Sequence, residues 1–259
     1  MACKIYNTKI RLHCTFVSIL FMPDHLIKSI QPYAIGIVFV LLYLAEHIFP
    51  QRPDHANAKH DLRNFGIGLI NAGITFGGGY YFQKIIEWLN LHRIGLFNWI
   101  SFPEYLSIGL QILLIDLNMY WWHRLNHTYS FLWKFHRFHH LDKQMNSTTA
   151  LRFHAVELLL SYVFRLLVFP LFGFSIMAIV CYSFLFFPVV ILHHSNLSIK
   201  ETFDMLLRKV IVSPGMHRIH HSKKKEETDS NYSSVFPWWD AVFKTYRKKP
   251  IEPIQFGVE

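Results

Sequence analysis

The sequence predicts an all-α fold, a polytopic membrane bundle of about four transmembrane helices with a histidine-rich cap on the cytoplasmic side. Three observations predict it. The 259 residues are 52% hydrophobic and only 17% charged, with a mean hydropathy of +0.21, whereas soluble chains carry about a quarter charged residues. Apolar runs approach the roughly 20 residues that a helix needs to cross a bilayer. The histidines, 17 in all, gather at the ends of those runs.

Taken in order, the N-terminal segment 1–32 has a basic start and a short apolar run, Leu12 to Met22, without the small-residue site of a cleaved leader. Tyr33–Phe49 is the first expected span. Phe65–Leu89 is the second, with an expected break at Gly77, Gly78 and Gly79. Tyr105–Trp122 is the third and ends in aromatic residues, as an interfacial belt does. Val156–Leu192 is long enough for a hairpin around Pro170 and Pro188, its first half weakened as a crossing by Arg165. The chain turns polar and basic after Leu192. With no linker and no repeat, residues 33–259 are expected to form one membrane-embedded catalytic domain.

Counting crossings puts segments 50–64, 123–155 and 193–259 on one face, with Arg52, Arg63, Arg124, Lys134, Arg137, Lys200, Arg208 and Lys209. Positive charge on that face makes it cytoplasmic. Lys4, Lys9, Arg11 and Lys28 then fall on the opposite face, a conflict relieved if Leu12–Met22 enters the membrane. The net charge of +9 comes with no nucleic-acid motif, so no nucleic-acid partner is expected. Cys3, Cys14 and Cys181 are scattered, which excludes a disulfide framework and a cysteine zinc site.

The histidine spacing carries the chemistry. His123 and His127 are four apart; His136, His139 and His140 form one HxxHH triplet, and His217, His220 and His221 form a second. Residues i, i+3 and i+4 share a helix face. Two triplets and a pair supply eight imidazoles, too many for one ion and enough for two. Imidazole alone does not choose among iron, zinc, copper and nickel. His194, in HHSN, returns to the same face as a ninth ligand, while its neighbour His193 would point elsewhere. His154 faces the same compartment but stays outside the ligand set; Arg152 and Glu157 beside it read as a structural ion pair. His13, His25, His47, His55, His60 and His92 read as interfacial surface residues.

These residues resemble the fatty acid hydroxylase/sterol desaturase superfamily of integral-membrane di-iron oxygenases. The resemblance rests on HxxxH and two HxxHH elements, on Asp116, Tyr120 and His123 in LIDLNMYWWHRLNH, on NSTTALRFHAVE, on HHSN and SPGMHRIHHSK, and on Asn231, Tyr232, Trp239, Asp240 and Thr245 in the C-terminal run. It covers about Glu46 to Tyr246, with Ala155, Ser233 and Lys244 as departures. It implies two iron ions held by His123, His127, His136, His139, His140, His194, His217, His220 and His221. It also implies O₂ as co-substrate and hydroxylation or desaturation of a sterol or fatty-acyl lipid. No catalytic residue is expected beyond the metal ligands, and Asp116 is expected to orient one of them. The membrane would be the endoplasmic reticulum in a eukaryote and the inner membrane in a bacterium.

The chain has neither an HPGG haem-domain signature nor a Gly-rich phosphate loop. Electrons are therefore expected from a separate cytochrome b5, ferredoxin or reductase docking near Lys223–Lys225. A membrane metal-binding protein, or a zinc-dependent membrane enzyme using the same histidines, is the alternative reading. It lacks the adjacent carboxylate of HExxH.

Overall fold

The computed structural model describes residues 24–53 and 57–259; the Leu12–Met22 run, His13 and His55 lie outside them. Among the described residues there are helices and two isolated β-bridges, Pro50 with Leu197 and Ser222 with Phe256, but no strand. The long helices are α1 (Asp24–Ile48), α2 (Ala58–Leu91), α4 (Glu104–Thr128), α6 (Ala155–Phe172) and α7 (Ile176–His194), with α3 (Leu96–Trp99) a single turn. The remaining pieces are shorter: α5 (Ser130–His140), a 3₁₀ turn Ser147–Leu151, α8 (Glu201–Leu207), α9 (Pro214–His220), α10 (Lys225–Thr228) and α11 (Trp238–Val242), of which α5 and α9 carry histidines.

Local signals place the ends. Asn57 caps α2 by accepting from the Lys59 and His60 amides, and Ser175 caps α7 through the Ala178 amide. Ser213 caps α9, with Pro214 in the first turn, where its missing N–H costs nothing. The hairpin expected in 156–192 is present. Gly173 closes it at φ 68°, and a side chain there would meet the Ile94 carbonyl at 2.6 Å.

Ser29–Ile48, Ala155–Phe172 and Ile176–His194 are each long and apolar enough to cross a membrane. The second and third expected spans need correction. They qualify only as a pair, Ala58–Trp99 with Glu104–Thr128, bent by 93°. Polar residues such as Asn64, Asn71, Gln111, Asp116 and Asn118 lie buried within them and lower their apolarity. The chain is a multi-pass membrane helical bundle. Exposed Tyr33, Leu69, Phe76 and Leu167 give it an apolar outer surface suited to lipid.

The expected break at Gly77–Gly79 is also absent: α2 runs straight through it. Gly78 serves packing, since a Cβ there would lie 2.7 Å from the Tyr162 ring on α6. Gly78→Leu should lower stability by about 1–3 kcal/mol through overpacking. Gly77→Ala, with nothing within 4 Å, should be neutral or stabilise by up to about 1 kcal/mol. Thermal unfolding in detergent compares the two.

The core runs between α2, α4, α6 and α7 around Ile86, Ile115, Phe169, Phe174 and Tyr182. Below it, buried polar bonds tie α1 and α2 to the loops next to the histidines. Glu46 of α1 accepts from the Ser147 amide (3.0 Å) and hydroxyl and from the Asn196 amide (2.7 Å). It thereby pins the turns following α5 and α7.

Candidate metal centre

The nine predicted histidines come together in two abutting groups. His123, His127, His136, His140 and His220 form one; His139, His194, His217 and His221 form the other. Within each group, one ring nitrogen per residue lies within 4.8 Å of all the others. Each HxxHH triplet is divided between the groups, contrary to one triplet facing one centre. The i and i+4 members stay together, while the i+3 members, His139 and His220, cross to the other group. A residue three on is rotated by about 60° one way, and one four on by about 40° the other. The gap between α5 and α9 falls between those directions.

Most rings are oriented from outside. His123 Nδ1 bonds the Tyr232 carbonyl at 2.7 Å, His220 the Ser230 carbonyl at 2.7 Å and His194 the Val190 carbonyl at 2.7 Å. His139 bonds the Arg152 carbonyl at 3.2 Å, and His136 bonds Glu157 Oε1 at 2.8 Å. A carbonyl or carboxylate only accepts, so in each neutral ring Nδ1 carries the proton and Nε2 presents a lone pair. His139 and His194 then face each other, Nε2 to Nε2, at 3.0 Å, lone pair against lone pair. The Nε2 atoms of His220 and His127 are buried without a hydrogen-bond partner. Converging buried lone pairs call for a cation, and imidazole donors suit a transition metal.

A proton is a poor substitute. Burial pushes the imidazoles of His139, His140, His217 and His221 well below their ordinary value, and that of His220 down to about 3. The unfolded chain, with histidines near 6.5, therefore binds protons that the folded chain refuses. Stability is full above about pH 7 and is lost progressively as the pH falls from about 6.5 toward 3. Melting temperature of metal-free protein between pH 8 and 5 should drop monotonically with acidity.

The turn at Asn231 sets two of the orienting carbonyls. Asn231 is left-handed (φ 55°), a conformation asparagine tolerates. Its amide bonds the Met216 and Arg247 carbonyls, both at 3.0 Å. The reversal aims the carbonyls of Ser230 and Tyr232 at different histidines. Asp116 behaves differently from expectation: it touches no histidine. It accepts from Tyr182 Oη (2.6 Å), Trp239 Nε1 (2.9 Å) and the Val235 and Phe236 amides (3.2 and 3.0 Å). It holds the segment that follows Tyr232, and so acts on His123 through that carbonyl.

Several neighbours differ from the sequence reading. Arg152 and Glu157 are not paired; Arg152 donates to the Phe138 carbonyl and Asn64, freeing Glu157 for His136. His154 caps α6 through the Val156 amide (3.2 Å). His193 is buried with its ring 3.9 Å from that of His217, because α7 ends there and both faces of its last turn are covered. His60 is buried between Asp61 and Asp142 (2.9 and 2.8 Å), a surface reading defeated by the loop folding over α2. Burial alone would raise the Asp142 carboxyl; the bond from His60 and those from the Gln144 amide and Thr149 hydroxyl hold it down at about 2. Trp133 packs on the site, its ring 4.9 Å from that of His127, and Phe153 stacks on His139 at 4.6 Å, walls that shed water.

Glu157 accepts from His136, closer than the 3.5 Å between Asp229 and His127 Nδ1, and its other oxygen is buried without a partner. Glu157→Gln keeps an acceptor for His136 but removes the charge. Metal affinity measured against a competing chelator should fall about 10- to 100-fold with melting temperature of the metal-free protein little changed.

Helices enclosing two sets of inward-directed imidazoles define a polyhistidine membrane protein whose donors fit a transition metal. Residues 108–245, which include all nine histidines, match the family model for fatty acid hydroxylase, and the chain belongs to that family. It is 28% identical to human alkylglycerol monooxygenase over 92% of this chain and 51% of that protein. It is 30% identical to the Danio rerio alkylglycerol monooxygenase over 85% and 47%. It is also 25% identical to the ornithine lipid hydroxylase OlsE of Rhizobium tropici over 58% and 44%. The chain thus spans about half the length of these curated relatives. No solved structure matches it significantly.

Proposed function

We propose that this chain is a membrane lipid hydroxylase, an oxidoreductase that inserts one oxygen atom of O₂ into a lipid C–H bond. The observation that carries the reading is the pair of abutting imidazole groups, five and four strong, inside a membrane bundle. Iron at both groups is the assignment that the family favours and an all-nitrogen donor set accommodates, with His123, His127, His136, His140 and His220 on one ion and His139, His194, His217 and His221 on the other. Two irons, when bound, supply activation of O₂ with two electrons. The chain's own residues fix ring directions through Nδ1, keep the imidazoles neutral by burial and exclude water with Trp133 and Phe153.

Hydroxylation is favoured over desaturation because the named relatives are a monooxygenase and a hydroxylase. The lipids in their names, an alkylglycerol and an ornithine lipid, point to a polar-headed lipid rather than a sterol. Residues 33–259 act as one catalytic domain, the histidines face the cytoplasm, and a separate carrier delivers electrons. For that carrier, Lys223 and Lys225 are the exposed charges, since Lys224 pairs with Glu252 at 2.7 Å.

The test is anaerobic purification from iron-supplemented cells, iron counting, and lipid mass spectrometry under ¹⁸O₂ with and without the gene. Two irons per chain and ¹⁸O in a lipid product support the reading. Products lighter by two hydrogens replace hydroxylation with desaturation, and zinc alone without lipid oxidation overturns it.

A further inference from the structure

Helix α8 and the residues after it are amphipathic in the wrong sense for water. Asp204 is buried and bonds Arg208 Nε (2.6 Å) and the Gly215 amide (2.8 Å), while Phe203, Leu206 and Val210 stand 54–57% exposed. A helix on a soluble surface does the opposite. The apolar face continues onto α11, because Trp238 Nε1 bonds the Lys209 carbonyl at 2.8 Å and Val235 accepts from the Val212 amide at 2.9 Å. Trp238 and Val242, one turn apart on α11, are 43% and 63% exposed. From there Phe243 packs edge-on against Trp121 (4.9 Å) on α4, a helix of the bent candidate span, where Trp121 is itself exposed. The patch is therefore continuous with the outer surface of the bundle. It begins seven residues after α7 ends. Lys200, Lys209 and Lys244 are exposed at its rim, against a single exposed acid, Glu201.

We propose that this face rests in the headgroup region of the chain's own bilayer, its apolar side chains sunk at the acyl boundary and its lysines on anionic lipid headgroups. An exposed apolar face beside a membrane exit, with tryptophan and lysine at its edge, is the composition of an interfacial helix. The contact reaches the histidines mechanically. Asp204 straps α8 to Gly215 at the start of α9, so the depth of α8 sets the depth of His217, His220 and His221. Anionic lipid thereby steadies one wall of the imidazole groups. None of this depends on which reaction the site performs.

The experiment uses the full chain in nanodiscs. Phe203→p-benzoylphenylalanine is photolysed in discs of mixed phosphatidylcholine and phosphatidylglycerol, with the same group at exposed Lys225 as reference. Lipid adducts at position 203 and few at 225 are expected; adducts no more frequent at 203 than at 225 overturn the proposal, as does capture of another protein instead of lipid at 203 in native membranes. Retention of phosphatidylglycerol, followed by native mass spectrometry, should weaken about fivefold per lysine in K200Q and K209Q. Unchanged retention in both variants overturns the anionic headgroup assignment.

Discussion

Replacing His220 by alanine is expected to halve the iron content, from two ions per chain to one, and to take lipid hydroxylation below detection. His220 sits on α9 between His217 and His221 yet belongs to the other group, so the substitution strips one group and leaves the second intact. A ring whose Nδ1 bonds the Ser230 carbonyl and whose Nε2 has no protein partner makes no hydrogen bond within α9 itself. The fold should survive, with a normal far-ultraviolet helix signal. His139→Ala should produce the converse loss at the second group. His92→Ala is the comparison: its ring bonds only the Trp88 carbonyl of its own helix, at 2.8 Å on the surface, and both iron and activity should remain. Full iron content and activity in H220A would refute the ligand assignment.

The second large effect is expected at Asp116. Its carboxylate is fully buried on α4 and takes four hydrogen bonds, two from the backbone of the 235–236 turn and two from the side chains of Tyr182 and Trp239. Asp116→Ala leaves four donors without their acceptor, two of them buried and two part-buried. The loss should be about 3–5 kcal/mol, a large share of what a folded domain possesses. Asp116→Asn should cost less, since one acceptor survives. Thermal denaturation by circular dichroism measures both. If stability holds, a KM-independent fall in kcat would still report a misdirected Tyr232 carbonyl and His123. Neither a stability change nor an activity change in D116A would contradict the hydrogen-bonding account.

How far the sequence could be read depended on the kind of interaction. The spans of α1, α6 and α7 announce themselves because lipid exposure demands apolar residues almost continuously. Those of α2 and α4 are diluted by Asn64, Asn71, Gln111 and Asp116, which find partners distant in sequence; Gly95 and Pro103 mark the break between the two helices, but not its 93° angle. The glycines of α2 look like a break in one dimension; Tyr162, 84 residues beyond Gly78, makes that one position a packing contact. His60 looks like a surface residue, and His193 looks turned away from the ligands, because what packs on each is distant in sequence: Asp142 on His60 and His217 on His193. The ion pair expected of Arg152 and Glu157 fails for the same reason: each finds a better partner across the fold, in Phe138 and in His136.

What the sequence determined by itself is therefore the part governed by short range and by solvent. It specifies apolar runs for a bilayer, helical i, i+3, i+4 spacing of imidazoles, and the helix caps at Asn57, Ser175 and Ser213. The tertiary structure alone decided which histidine joins which group. That partition depends on where α5 and α9 meet, and on carbonyls of Arg152, Val190, Ser230 and Tyr232 that every residue possesses and no residue type advertises. Backbone acceptors carry no signature in composition, so the directions of the rings become legible only when the chain has folded around them.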